Sequence, residues 1–389
     1  MMKKNKRLVG FTVTVVTLLI ASNFLPASAQ LSQWRSLNPY RDGTLSITSG
    51  NEPPFLHSVH LLSANYGWAV GGTCDMYPLR DANGDPSCAT YPGAGFALFY
   101  DGSKWRNVLV PAATGTLTAV SVVSTTDVWA VGLGPTIIHW DGIAWTLLVP
   151  PANLGDLFGL FMQPGGTDGW AVGDCPVAGT VDCDAGEVDN IRWSGTFPSG
   201  AWTPGPTPFL FAGTEPGTLR AVSLNSPTFG WIVDSSGEIF KWDGAGWVLQ
   251  TSPVAVDLLS VHALSNMDAW AVGAGSTIIR WNGASWTGPM VAPTDATIDY
   301  RSIKMVTAND GWIAGTLNSV TVEGILLRWN GIAWSIVRSW ITQDLNCVYM
   351  LPGGAAGWAV GDAETVIHWN NVQWISQTSP TAFPLFDVH

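Results

Sequence analysis

Apolar and polar positions along this chain fall into short runs, four to a unit, and the unit recurs. A small-residue run such as Leu117-Thr118-Ala119-Val120-Ser121-Val122 comes first. A run built on Trp129-Ala130-Val131-Gly132 follows, then Thr136-Ile137-Ile138-His139-Trp140. A Gly-containing turn leads to a fourth run, Trp145-Thr146-Leu147-Leu148-Val149, closed by Pro150. Runs of this length, rich in β-branched and aromatic residues and bounded by Asp-Gly or Asn-Gly, predict strands joined by tight hairpins. Each unit therefore reads as four short antiparallel strands.

The second run appears seven times. It is Gly67-Trp68-Ala69-Val70-Gly71 first, then the copies at Trp129, Trp170, Trp231, Trp270, Trp312 and Trp358. The third and fourth runs follow as Trp140-Asp141-Gly142 with Trp145, Trp242-Asp243-Gly244 with Trp247, and Trp281-Asn282-Gly283 with Trp286. Tyr100-Asp101 with Trp105, Trp329-Asn330 with Trp334, and Trp369-Asn370 with Trp374 match the same phrase. In the third unit an enlarged turn separates Trp193 from Trp202. Four-stranded units of about 40–50 residues, repeated, are the signature of a β-propeller. The fold expected is all-β, a seven-bladed β-propeller of four-stranded antiparallel blades. The last unit is as regular as the middle ones, which favours a closed ring over a capped solenoid. Gln33-Trp34-Arg35 with Pro39 reads as an additional fourth strand ahead of the first unit. It and the Trp374 strand compete as the segment that completes the last blade.

The pattern Trp-Ala-Val-Gly, Thr-Ile-Ile, Asp-Gly and Trp resembles the repeats of the BNR/Asp-box β-propellers. It is particularly similar to photosystem II assembly/stability factor-like propellers. Asp141 and Trp145 stand four apart, closer than in the Asp-box pattern, and the Ser or Thr that normally precedes the Asp is absent. The resemblance implies a propeller scaffold over nearly all of residues 30–380. By itself it implies neither photosynthesis nor sialidase chemistry.

Composition sharpens this picture. Of 389 residues only 12% are charged, and 22 are Trp. Twenty of those Trp occupy the three repeating positions, leaving Trp34 and Trp340 outside them. A residue that every blade repeats serves what every blade needs, the packing of blade on blade, rather than a sugar site. The base or His preceding the third-run aromatic (His139, Arg192, Lys241, Arg280, Arg328, His368) is periodic too, so a repeated ion pair or a stem over Trp is expected there.

The net charge of −12 argues against nucleic acid as a partner, whose phosphates are met with Lys and Arg. Residues 1–29 carry a basic start (Lys3, Lys4, Lys6, Arg7), an apolar core from Phe11 to Ile20, and Ala27-Ser28-Ala29 before Gln30. That is the form of a secretory signal peptide. No later segment is long and apolar enough to span a bilayer, so residues 30–389 are expected to form an exported, monomeric propeller.

Function is sought where the repeat breaks. Units 1 and 3 carry large insertions between their second and third strands, which contain Cys74 and Cys88, and Cys175 and Cys183. In an oxidising compartment these make candidate disulfides Cys74–Cys88 and Cys175–Cys183. The fifth cysteine, Cys347, falls at the small position of a first strand and is expected to be buried. Asp81, Asn83 and Asp85, and Asp182, Asp184 and Glu187 with Asp189, supply alternating oxygens of the kind calcium takes. A calcium loop and a solvated acidic loop are both open readings of these residues.

First-strand positions of a propeller line its channel. The non-repeating polar residues there are His57, Arg220, Arg301 and Asn346, then His60, His262, Lys304 and Tyr349. Arg220, Arg301 and Lys304 are candidates for binding a carboxylate or an acidic partner, or for pairing with Asp257, Asp299 or Asp344. No G-x-S-x-G, H-E-x-x-H or phosphate loop occurs. The reading preferred is a non-enzymatic scaffold binding a protein or glycan through one loop-decorated face. A carbohydrate-active enzyme of sialidase or lyase type, with acids around the channel, is the alternative.

Overall fold

The computed structural model describes residues 55–63, 65–73, 75–80, 86–87, 92–101, 105–174, 189–206, 217–291, 293, 298–317, 323–337, 343–362 and 365–377. The expected signal segment, Trp34 and Trp340 lie outside them.

Seven four-stranded antiparallel sheets follow one another along the chain, each built from consecutive strands. They are the blades of a propeller. Their inner strands are Phe55–Ser63, Leu117–Ser124, Leu157–Met162, Leu219–Ser226, Leu258–Ser265, Ile298–Thr307 and Leu345–Met350. In every blade the Trp phrase forms the second strand, the Ile- or Leu-rich run the third, and the closing Trp run the outer one. Blade 7 takes its outer strand from Trp374–Gln377, paired on Val366–Trp369, so the Trp374 segment fills the last place. The insertion of blade 1 adds a two-stranded ribbon, Asp75–Arg80 with Pro86–Ser87.

The hairpin between third and outer strands is set by its turn residues. Asp141 Oδ1 accepts from the backbone N–H of Ile143 and Ala144 at 2.8 and 2.9 Å, and Asp243, Asn282, Asn330 and Asn370 do the same in their blades. The next residue has φ near +90° (Gly142, Gly244, Gly283, Gly331), a conformation that costs glycine little. In blade 7 Asn371 stands there at φ 71°, the residue type that best tolerates it after glycine.

The core is divided among the joints between blades. Seven hydrophobic clusters occur among the described residues, each drawn from two neighbouring blades. One of them joins Cys347, Val360 and Val366 of blade 7 to Leu56, Val59, Leu61 and Tyr100 of blade 1, and that contact closes the ring. At six joints the second-strand Trp of one blade packs on the third- and outer-strand Trp of the next. Trp231, for example, lies 4.8 Å from Trp281 and 4.9 Å from Trp286 between ring centroids. Such tilted and edge-on pairs each add about 0.5–1.5 kcal/mol beyond area burial. Trp68, Trp129, Trp170, Trp231, Trp270 and Trp312 are all fully buried. At the closing joint the next blade offers Tyr100 in place of a third-strand Trp, and Trp358 is only partly buried.

Candidate functional site

The channel is built by the inner strands, whose inward edges pair with no further strand of their own sheet. Side chains of one blade cover the exposed N–H groups of the next. Ser58 Oγ accepts from Val120 N at 3.2 Å, His60 Nδ1 from Val122 N at 3.2 Å, and Ser223 Oγ from Ala263 N at 3.0 Å. Ser260 and Ser302 do the same for Ile303 and Val348. These bonds satisfy strand-edge donors that the sheets leave open. Cys347 sits in this layer as a buried thiol, its sulfur 3.3 Å from Ser302 Oγ.

Every inner strand carries a β-bulge at the same place. The register slips at Leu56/Ser58, Leu117/Ala119, Leu157/Gly159, Leu219/Ala221, Leu258/Ser260, Tyr300/Ser302 and Leu345/Cys347. The extra residue of each bulge is His57, Thr118, Phe158, Arg220, Leu259, Arg301 or Asn346. In a regular strand, residues three apart face opposite sides, and one bulged residue restores them to the same side. Arg301 and Lys304, and likewise Phe158 and Phe161, therefore form two tiers along one channel.

Those tiers surround a cavity of about 400 Å³. Arg220, Arg301, Lys304 and Asn346 line it, with His60, His262 and Tyr349. His57 is 3% exposed and is not among its lining residues. Arg220 donates from Nε and Nη2 to Asp257 at 3.1 and 2.9 Å, a bidentate clamp from blade 4 to blade 5. Arg301 donates to Asp344 at 3.0 Å and to the side-chain oxygen of Asn346, joining blade 6 to blade 7. Asn346 Nδ2 in turn donates to Asp362 at 2.8 Å. Lys304 Nζ lies 4.7 Å from the centre of the Tyr349 ring.

Asp257 and Asp344 each stand one residue before an inner strand. Asp156, and Asp299 within its longer strand, likewise stand two residues before the extra residue of a bulge, and instead accept from the turn N–H of Gly134 and Gly275 in the preceding blade, at 2.8 and 3.0 Å. One acidic position thus links successive blades by two means, a turn cap or an arginine clamp. Burial raises the Asp362 carboxyl above its usual range, and nearby Asp344 adds to the rise against the pull of Asn346 and Arg301. Burial likewise raises Asp234, which accepts from Gly217 N, Ser236 and Glu238 N, and raises the neighbouring Glu238. Burial also raises the Tyr349 phenol.

The periodic bases are structural. Arg192, Arg280 and Arg328 pair with Asp168, Asp268 and Asp310 at 2.8–3.0 Å, and His139 Nε2 lies 2.9 Å from Asp127. The same guanidinium groups lie over Trp faces, Arg280 at 4.7 Å from the Trp270 centroid. Where blade 4 has Phe229 at the acidic position, Lys241 lies 5.0 Å over that ring.

Cys74, Cys88, Cys175 and Cys183, and the oxygen donors Asp81, Asn83, Asp85, Asp182, Asp184 and Glu187, lie outside the described residues. Asp189, at the end of the blade 3 insertion, is buried and accepts from Asn190 Nδ2 at 2.7 Å. Both insertions leave from second strands ending at Gly72 and Gly173, which pair with the starts of their inner strands. Their points of departure therefore lie at the bulge end of the inner strands. Phe158 and Phe161 are wall residues that polarity alone does not single out; their one sequence signal is the small Gly159 that marks the bulge.

No protein-family model and no curated protein matches the chain. Among solved structures it is similar to "YCF48 bound to D1 peptide", with TM-score 0.51 and 16% identity over 69% of this chain and 82% of that one. It is also similar to the RRP9 WD40 repeats, with TM-score 0.54 and 8% identity over 80% and 88%. U3-55K matches at TM-score 0.50 and 10% identity over 69% and 81%. At these identities the likeness is one of architecture, and the fold it supports is the seven-bladed propeller of four-stranded blades.

Proposed function

We propose that this chain is an exported, non-enzymatic propeller that binds a protein partner through the face carrying the blade 1 and blade 3 insertions. One observation carries the reading. The repeated aromatic and ionic residues are consumed within the blades and at their joints, whereas the non-repeating residues gather at the bulge tier and in insertions that leave from the same end of the strands. A scaffold's variable positions on one face are where recognition is placed. The peptide-bound YCF48 propeller gives a precedent of the same architecture for a protein ligand. The Asp-box relationship rests on the Asp- and Asn-capped hairpin turns. The cysteines serve here as loop staples, Cys74 with Cys88 and Cys175 with Cys183; the scaffold takes no resident cofactor in this reading, the acidic insertion residues forming a solvated loop with calcium binding as the alternative.

Affinity capture from the cell envelope of the source organism tests this reading. The wild-type chain is expected to recover a protein partner that is lost when residues 74–91 and 175–188 are replaced by short Gly-Ser turns. Recovery of the same partner by the shortened chain would move the interface elsewhere. Turnover of a glycan panel by the pure protein would replace the scaffold reading with the carbohydrate-active one.

A further inference from the structure

The walls of the channel are chemically unequal, and their placement follows from ring geometry. In a ring of seven, the third and fourth neighbours of a blade stand across the channel from it. Blade 3 contributes Phe158 and Phe161, and blade 6, its third neighbour, contributes Arg301 and Lys304. The bulges keep each pair on the same side of its strand, and all four side chains belong to residues that line the one cavity, an aromatic pair on one wall and a cationic pair on the other. The bulge tier also holds Arg220 of blade 4. Of each arginine clamp, the cation lines the cavity and the acid stands behind it, before the next inner strand. Each carboxylate fixes its guanidinium as an oriented donor set, and the side-on Asp257 clamp on Arg220 uses only Nε and Nη2.

We propose that this channel binds a small organic anion with an apolar body, an aryl-alkyl or short acyl carboxylate. The body lies on Phe158 and Phe161, and the carboxylate meets Arg301, Arg220 and Lys304. A cavity of about 400 Å³ falls within the range of small-molecule sites, and an apolar wall with a few convergent polar groups is their usual composition. The bulge tier of this channel belongs to the recognition face proposed above, but its test uses the purified chain alone, so its outcome is read independently of whether a protein partner is captured.

The test is titration calorimetry of the full purified chain with 4-phenylbutyrate, and with 4-phenylbutanol as its uncharged counterpart. Saturable binding of the carboxylate is expected, with the alcohol at least about tenfold weaker, the scale of one charge-assisted contact. Phe161→Ala and Lys304→Gln are each expected to weaken the carboxylate about tenfold or more, while Arg192→Gln, outside the channel, leaves it unchanged. Thermal unfolding checks that each variant is folded. If a channel variant fails to fold, the salt dependence of wild-type binding substitutes, because a carboxylate held by cations weakens as ionic strength rises. Equal affinity for acid and alcohol, insensitivity to salt and to both substitutions, or no binding up to about 10 mM would each overturn the proposal.

Discussion

Residues at equivalent positions in different blades act as substitutions already made. Asp127, Asp168, Asp268 and Asp310 face His139, Arg192, Arg280 and Arg328, so base and acid occur together. Two blades depart from this: blade 4 sets Phe229 under Lys241, and blade 7 has Ala356 at the acidic position beside the buried His368. Burial holds His368 below its ordinary 6.5. Below that value the unfolded chain takes up a proton that the folded chain refuses, so this residue's contribution is present at neutral pH and lost as pH falls. The fall in Tm between about pH 7.5 and pH 5.5 is therefore expected to be smaller in His368→Gln than in the wild type. Ala356→Asp is expected to shrink it too, by giving His368 the partner that Asp127 gives His139. The Trp positions are graded in the same way. Trp231→Ala is expected to cost about 3–5 kcal/mol in denaturant unfolding, as for a large core residue. Trp358→Ala, partly buried on a Tyr100 joint, is expected to cost visibly less.

At the scale of the element, turns and bulges divide the work. The Asx-capped hairpins fix strand register, and the bulges fix which side chains reach the channel. Asn330→Ala removes the acceptor for Ile332 N and Ala333 N at 3.0 and 2.9 Å, and is expected to cost about 1 kcal/mol in the same assay. In the blade 1 insertion, Asp75 pairs with Ser87 across the ribbon, next in sequence to Cys74 and Cys88. Intact-peptide mass spectrometry is expected to find Cys74–Cys88 and Cys175–Cys183 bridged, each gaining about 2 Da on reduction. Alkylation of all four without reduction would remove the staples from the functional reading.

For the whole molecule, closure depends on packing rather than strand exchange among the described residues. Blade 7 fills its four places from its own sequence, and cluster contacts to Leu56, Val59 and Tyr100 complete the ring. The Trp34 segment is therefore not needed for the fourth place. Deleting residues 30–49 is expected to change Tm by no more than about 2–4 °C, the shift that about 1 kcal/mol produces in a large domain. A collapse in Tm would show that the segment latches the ring. No helix among the described residues is long and apolar enough to cross a membrane.

Local pattern alone determined the number of blades, the order of their strands, the hairpin turns and the structural role of the Trp repeats. Each of these depends on neighbours within one or two strands, so it is written in contiguous residues. The periodic bases were legible for the same reason, since acid and base sit on adjacent strands of one blade. The partners of Arg220 and Arg301 were legible only as alternatives, because each reaches an acid some forty residues away across a joint. Tertiary structure decided those pairings, the choice of the Trp374 strand for the last blade, and the departure of His57 from the channel lining. It also decided that Phe158 and Phe161 line the same cavity as Arg301 and Lys304. That arrangement needs both a bulge, which shifts side-chain phase by one residue, and a closed ring, which places the third neighbour opposite. Neither the phase shift nor the opposition is carried by any stretch of sequence that contains both walls.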